Sequence, residues 1–215
     1  EQDDTVFQGG GKGHKRVLTP NMIEYRQRHW KRFCDHLRPV DIVIDGANAG
    51  YFDQNFAGAP KHVNYQQIDS LVEALGADAR ILLILHSRHC SKPLMPDHAI
   101  PYLNKWKKIL YQTPGSMNDD WFWLHAALKY RARVVTNDEM RDHHFQMVAP
   151  ISFLKWRDRH QIHFDFAGDW KQKRPRTVLF KYPDSYTRRI QMVGENGLVI
   201  PCPKRGDVNR FLDGT

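Results

Sequence analysis

Four aspartates stand where short apolar runs of the chain end. Asp45 closes Asp41-Ile-Val-Ile-Asp45, in VIDGAN; Asp119 and Asp120 lie side by side in SMNDDW; Asp138 follows Arg133-Val-Val-Thr136, in VVTNDE. Asp142 and His143 come a turn later, so that His143 can face back towards Asp138. Carboxylates gathered in one crevice repel one another, and in a dry site one of them keeps its proton. A divalent cation removes that conflict. Mg²⁺ takes oxygen ligands, keeps several waters and bridges to phosphate oxygens, so a carboxylate cluster suits phosphodiester chemistry. Two such ions about 3.5–4 Å apart activate a water and stabilise the leaving oxygen of an in-line displacement. One aspartate at a strand end is more often a helix cap. Four at one sheet edge point to a metal-dependent phosphoryl-transfer site.

These residues meet only if the runs that carry them are strands of one sheet. The apolar runs 41–45, 80–86 and 133–136 read as buried strands, and Gln161 to Phe166 as a further one. Between them lie helical patterns. Thr19-Pro20 opens a helix in which Met22, Tyr25, Trp30, Phe33 and Leu37 recur at helical spacing before Pro39. Tyr65 to Leu75 is amphipathic and closes at Gly76. Tyr102 to Leu110 reads as helix, with a third strand starting near residues 109–111. Asp119 to Lys129 is an aromatic-rich helix, and another short one starts at Glu139. Strands alternating with helices predict an α/β fold, a mostly parallel central sheet flanked by helices. In such a sheet, ligands bind at the carboxyl ends of the strands. The expected division is a flexible tail over 1–18, the α/β domain over 19–169, and a small C-terminal β appendage over 170–215. That appendage comprises the charged linker KQKRPR and short strands around a turn at Glu195-Asn-Gly197.

Composition bounds the partners. The chain has 215 residues, and 32 Lys+Arg against 24 Asp+Glu give a net charge of +8, which favours a polyanion. No stretch approaches the roughly 20 apolar residues of a membrane helix, so no membrane span is expected. Cys34, Cys90 and Cys202 are far apart and form no CxxC pair, which excludes a disulfide scaffold.

VIDGANAGYFDQNF, ILLILHSRH, GSMNDDWFWLHAALKY, RVVTNDEMRDHHFQM and FLKWRDRHQIHF together resemble the metallonuclease domain of protein-only RNase P, in the NYN branch of PIN-like nucleases. The resemblance spans about Asp41 to Phe164, and NDDW followed by TNDEMRDH makes it narrow. It implies removal of 5′ leaders from precursor tRNA by hydrolysis, leaving a 5′-phosphate and a 3′-hydroxyl, with Mg²⁺ as cofactor and Mn²⁺ as substitute. Carried over, the family's metal-binding aspartates fall on Asp45, Asp119, Asp120 and Asp138, and its active-site histidine on His143. Asn48 and Asn137 become supporting or substrate-positioning candidates, and Arg141, Lys155 and Arg157 candidate RNA contacts. A nuclear or organellar (mitochondrial or plastid) location is implied.

Two features depart from the family pattern. The family carries an N-terminal pentatricopeptide-repeat array, whereas about forty residues without such a repeat precede the first strand here. An excised domain, or a reduced protein served by a repeat region elsewhere, is therefore expected. The family's zinc module pairs upstream cysteines with a His and Cys near the C-terminus. This chain reads Leu198-Val199-Ile200-Pro201 there, with Cys202 alone, so structural zinc is not expected.

Other residues carry weaker signals. His86, His89 and Cys90 cluster in sequence, as do His160 and His163, but HSRH is expected to face solvent or RNA rather than metal. Lys105, Lys107, Lys108, Arg131, Arg133, Arg159 and the run 171–176 could contact phosphates. Gly46 to Gly50 lacks both GxGxxG and GxxxxGK, which excludes a nucleotide loop. Two rival readings share the fold. A PIN-like nuclease for another structured RNA would share the site, and a non-catalytic RNA-binding module would gain nothing from clustered carboxylates.

Overall fold

The computed structural model describes residues 19–140, 150–168, 176–184, 191–193 and 197–199. Its apolar runs become the strands β1 (Ile42–Asp45), β2 (Ile81–His86), β3 (Leu110–Thr113), β4 (Arg133–Val135) and β5 (Gln161–Ala167), all parallel. A sixth strand, β6 (Thr177–Lys181), pairs antiparallel with β5, and the sheet order is β3-β2-β1-β4-β5-β6. Ile44 stands in register with Leu83 on one side and Val135 on the other. From β1 the chain steps outwards to β2 and β3, then returns to β4 on the opposite flank. The crevice between the carboxyl ends of β1 and β4 is therefore the topological switch point, where such sheets bind ligands.

Helices cover both faces, which is why the strands read as continuous apolar runs. Successive strand residues point to opposite sides. Val43, Leu82, Ile84 and Val134 pack with Phe33 of α1 (Pro20–His36) and with Phe122 and Trp123 of α5 (Asp120–Tyr130). Ile44, Leu83, Leu85 and Val135 pack with Ala49 of α2 (Gly46–Tyr51) and with Ile68 and Leu71 of α3 (Tyr65–Leu75). Each such side chain, fully buried, contributes about 1.5–3 kcal/mol. Thr19 caps α1 by accepting the Met22 N–H, with Pro20 in the first turn, as the sequence predicts.

Three elements differ from expectation. The helix expected over 102–110 is α4 (Ile100–Lys105) followed by a turn into β3. Trp106 fixes that break: it is fully buried and donates from Nε1 to Asp69 Oδ1 at 2.9 Å. The helix α6 (Pro150–His160), between β4 and β5, was not anticipated. The sheet also continues through β6, beyond residue 169 where the α/β domain was expected to end. A two-stranded antiparallel pair, β7 (Gln191–Val193) and β8 (Gly197–Val199), follows. The tail 1–18, Arg141, Asp142, His143, the linker residues 171–175 and Cys202 lie outside the described residues. So does the rest of the helix expected from Glu139, while Glu139 and Met140 themselves are not helical.

Candidate active site

β1 delivers Asp45 to the switch point, and the two glycines that follow let the backbone stay close. A Cβ on Gly46 would stand 2.6 Å from the Ile84 carbonyl oxygen, and one on Gly50 would stand 2.6 Å from Val63 Cβ. Asp45 caps α2: its Oδ1 accepts the Asn48 N–H at 3.0 Å. Its Oδ2 accepts the Thr136 hydroxyl, also at 3.0 Å. Burial pushes this carboxyl up to about 8 from an ordinary 3.8, against the Asn48 amide, and the charges of Asp120 and Asp119 push the same way.

Thr136 joins the two halves of the site. Its hydroxyl donates to Asp45 and accepts the Asp138 N–H at 3.1 Å. Asp138 turns back to accept the Met140 N–H at 3.0 Å, with Met140 in the left-handed region at φ 53°. From β5, Gln161 Nε2 donates to the carbonyls of Thr136 and Asp138 at 2.9 and 2.8 Å. Arg157 of α6 donates to the Glu139 carbonyl at 2.6 Å. Asn48 Oδ1 accepts the Asn137 N–H at 2.8 Å, and the Asn137 amide both donates to and accepts from the Phe164 backbone. The segment 136–140 is thus pinned to α2, β5 and α6.

The third arm is the start of α5, where the positive helix end favours carboxylates. Asp120 N–H donates to Asn118 Oδ1 at 3.0 Å, and Asp120 Oδ1 accepts Trp123 Nε1–H at 3.2 Å. Burial raises the Asp119 carboxyl and Asp120 adds to it, while the charges of His86 and Arg88 at the end of β2 oppose.

Asp45, Asp119 and Asp120 are therefore electrostatic neighbours, and Asp138 is linked to Asp45 through one hydroxyl. All four occupy the carboxyl edge of the sheet. Among the described residues, no group of three or more His, Cys, Asp or Glu side chains is placed to hold a metal ion. The donors are carboxylate oxygens, one of them buried beside like charges, and that chemistry fits a hard divalent cation. Lys155 is exposed on α6, and Arg157 is half-buried against the 136–140 segment. His143 and Arg141 lie outside the described residues. Sequence reasoning passed over Thr136 and Gln161, whose polar groups build the frame. Their signal was a hydroxyl residue closing one apolar strand and an amide opening the next.

The HSRH histidines do not face solvent or RNA. His86 is 9% exposed and His89 is 0% exposed, and burial lowers both, His89 to about 4. Both accept hydrogen bonds from Arg88: His86 Nδ1 from its N–H at 3.2 Å, and His89 Nε2 from its Nε–H at 2.9 Å. Lys105, a candidate phosphate contact, is held by Asp69 and Glu73 at 2.7 and 2.6 Å.

A mostly parallel α/β sheet flanked by helices, with aspartates at its switch point, is an NYN-type fold. The family model of Protein-only RNase P matches residues 11–210, and the chain belongs to that family. Proteinaceous RNase P 1, chloroplastic/mitochondrial, of Arabidopsis thaliana is 39% identical over 205 residues, covering 88% of this chain and 35% of that protein. Proteinaceous RNase P 3 of the same plant is 37% identical over 133 residues, covering 59% of this chain and 23% of that protein. The mitochondrial ribonuclease P catalytic subunit of Rattus norvegicus is 26% identical over 201 residues, covering 86% and 30%. Among solved structures, nuclear protein-only RNase P 2 of Arabidopsis thaliana superposes with a TM-score of 0.66 at 29% identity, covering 82% of this chain and 37% of that one. The chain thus spans between 23% and 35% of the length of these curated relatives. Among the described residues no helix is long and apolar enough to cross a membrane.

Proposed function

We propose that this chain is the hydrolytic part of an RNase P that removes the 5′ leader of precursor tRNA, leaving a 5′-phosphate on the tRNA and a 3′-hydroxyl on the leader. The observation that carries the reading is the coupling of Asp45 to Asp119 and Asp120 at the switch point, in a chain of this family. Asp45, Asp119, Asp120 and Asp138 would hold Mg²⁺, with Mn²⁺ as a substitute. Bound there, the ion supplies Lewis acidity towards a phosphate oxygen and lowers the pKa of water.

The protein's own part is preorganisation. The Asn48 amide and the Thr136 hydroxyl fix both oxygens of Asp45, so its orientation is set before substrate arrives. Gln161 and Arg157 hold the backbone around Asp138. Asn48 and Asn137 act as staples of this frame. His143 is assigned a phosphate contact or proton transfer from the family motif, and Arg141 and Lys155 are assigned RNA phosphates. A tRNA-gripping pentatricopeptide-repeat region is supplied elsewhere in the protein or by a partner, and the compartment is nuclear or organellar, as in the relatives' names.

The test is cleavage of an end-labelled precursor tRNA by excess chain in Mg²⁺, with the cut mapped to the nucleotide. A cut at the mature 5′ end, abolished by Asp120→Asn, is expected, because the amide keeps the acceptor for Trp123 but loses the charge. Full cleavage by Asp120→Asn, or cuts unrelated to that end, would overturn the reading.

A further inference from the structure

Between the two buried histidines of HSRH stands an exposed arginine. Arg88 lies on the short turn Ser87–His89 that leaves β2, and hydrogen bonds staple that turn on every side. The Arg88 N–H donates to His86 Nδ1 at 3.2 Å, and the Tyr65 hydroxyl donates to the His89 carbonyl at 2.5 Å. The Cys90 N–H and the Ser91 hydroxyl donate to the Ser87 carbonyl at 2.9 and 3.1 Å. The backbone beneath Arg88 is therefore fixed.

The side chain is fixed as well. Arg88 Nε donates to His89 Nε2 at 2.9 Å, and the other ring nitrogen, Nδ1, has no hydrogen-bond partner among the described residues. Burial keeps this imidazole neutral, so Nε2 remains an acceptor. Burying a polar ring is costly unless it is hydrogen-bonded, and the ring of His89 makes its bond to a surface arginine. That bond uses Nε alone and leaves both Nη groups of the fork open. Arg80, Lys92 and Lys105 each hold a carboxylate at 2.6 to 2.7 Å, whereas no carboxylate among the described residues pairs with Arg88.

Position gives the open fork its meaning. Asp45 stands in register with Ile84 of β2, two residues before His86, so the turn emerges at the carboxyl edge, one strand spacing (about 4.8 Å) from the strand of Asp45. His86 hydrogen-bonds the backbone of Gly115, in the loop that leads to Asp119. The Arg88 charge opposes the burial that raises the Asp119 carboxyl and the Tyr51 hydroxyl at the end of α2. Arg88 thus stands on the β2 flank of the carboxylates, with Asp138 on the β4 flank.

We infer that Arg88 grips a phosphodiester of the RNA beside the one that is cut, its two Nη groups donating to the phosphate oxygens while His89 holds Nε. The inference rests on the reading of the neighbouring site as one that cleaves RNA. A guanidinium fork matches phosphate with two parallel hydrogen bonds. A crevice of carboxylates repels an RNA backbone, and a cation fixed at its rim draws the adjoining phosphate in without joining the metal ligands. His89 is then a positioning residue that acts through Arg88.

Single-turnover cleavage of precursor tRNA by excess chain, repeated across salt concentrations, tests this with Arg88→Ala, a surface change that spares the core. The half-saturating chain concentration should rise about tenfold, and its log–log slope on salt should flatten by about 1. The maximal rate and the Mg²⁺ requirement should stay nearly unchanged. His89→Phe, which keeps a ring and removes the acceptor, should cause a smaller loss of affinity alone and none in the Arg88→Ala background. A neutral methylphosphonate placed singly at each linkage flanking the cut, next to a 2′-O-methyl nucleotide, should reproduce the Arg88→Ala loss at one linkage and add nothing to it there. Losses that multiply at every linkage would overturn the inference. So would a shifted Mg²⁺ requirement at unchanged affinity, which would make Arg88 a partner of Asp119 instead. Binding of labelled precursor tRNA in EDTA, read by fluorescence anisotropy, separates the two readings. Arg88-dependent binding by a chain that cannot cleave sinks the RNase assignment and keeps the phosphate contact. Normal cleavage with affinity and salt slope indifferent to Arg88→Ala sinks the contact and keeps the RNase assignment.

Discussion

Asp41 and Asp45 flank the same short strand, and their carboxyls are driven in opposite directions. Asp41 is exposed at the amino end, where Arg80 grips it with Nε at 2.9 Å, Nη2 at 2.6 Å and its backbone N–H at 3.0 Å. These hydrogen bonds hold its pKa down to about 2. Asp45 is 4% exposed at the carboxyl end, and the charged neighbours that shift it are further carboxylates, so burial and repulsion take it to about 8. A carboxylate that serves the fold is given a cation by the fold. One buried beside like charges is costly to ionise, and a fold keeps that arrangement where a ligand cation balances it. The strand's geometry is ordinary at both ends; the company each aspartate keeps distinguishes them.

The largest expected effect separates the two ends directly. Asp45→Asn should lower cleavage of precursor tRNA by far more than the 10–100-fold typical of losing a group that only orients a metal ligand. In EDTA the same variant should melt at a higher temperature than the parent, because the unfolded chain no longer gains by ionising that side chain. A lower melting temperature together with full activity would mean that Asp45 is merely a helix cap. Next in size is Thr136→Val, which keeps the shape but strips the hydroxyl that Asp45 accepts and that the Asp138 N–H needs. Activity should fall about 10–100-fold, and stability by about 1–3 kcal/mol for the orphaned amide. Thr136→Ser should restore most of both. Equal activity in Val and Ser variants would show that the bridge is not required.

The contrast along β1 also explains how far the sequence could be read. Short apolar runs closed by Asp45, His86 or Thr136 give themselves away because strands buried on both faces carry no alternation. The ends of parallel strands then deliver whatever follows them to one edge. That logic gathered Asp45, Asp119, Asp120 and Asp138 without coordinates. Properties set by distant partners were not readable. HSRH looks polar, yet Tyr65 and Arg88 enclose it. α6 mixes Lys155, Arg157, Asp158 and Arg159 with Phe153 and Trp156, and the packing of Phe153 and Trp156 against the core fixes its inner face. The place of β6 depends on the pairing Phe164 to Phe180, which no local pattern encodes.

The pH responses of the two ends should be opposite in sign. The folded-state pKa of Asp45 lies above its unfolded value, so its contribution is fully present below about 3.8 and is lost as pH rises towards about 8. Metal-free protein should therefore lose stability from this group as pH rises through that window, and Asp119, raised in the same direction, adds to the slope. Divalent cations compete with the proton, so the apparent affinity for Mg²⁺ should climb over the same window and level off above about 8. Calorimetric titration with Mg²⁺ in buffers of different ionisation enthalpy would register the released proton. An affinity independent of pH would argue that the ion does not meet Asp45.

The smallest expected effect belongs to the other end of the strand. Asp41 has its folded pKa below the unfolded one, so its contribution is present above about 3.8 and fades as pH falls towards about 2. Asp41→Asn should therefore lower the melting temperature slightly at neutral pH and not at all near pH 2. It should leave cleavage untouched, since the Arg80 pair lies at the amino edge, away from the switch point. Both partners are exposed, with side chains 45% and 62% accessible, so added salt should screen the ion pair and shrink the difference. Loss of cleavage in Asp41→Asn at unchanged stability would erase the distinction between the two aspartates, because the site would then extend through the strand rather than sit at its carboxyl end.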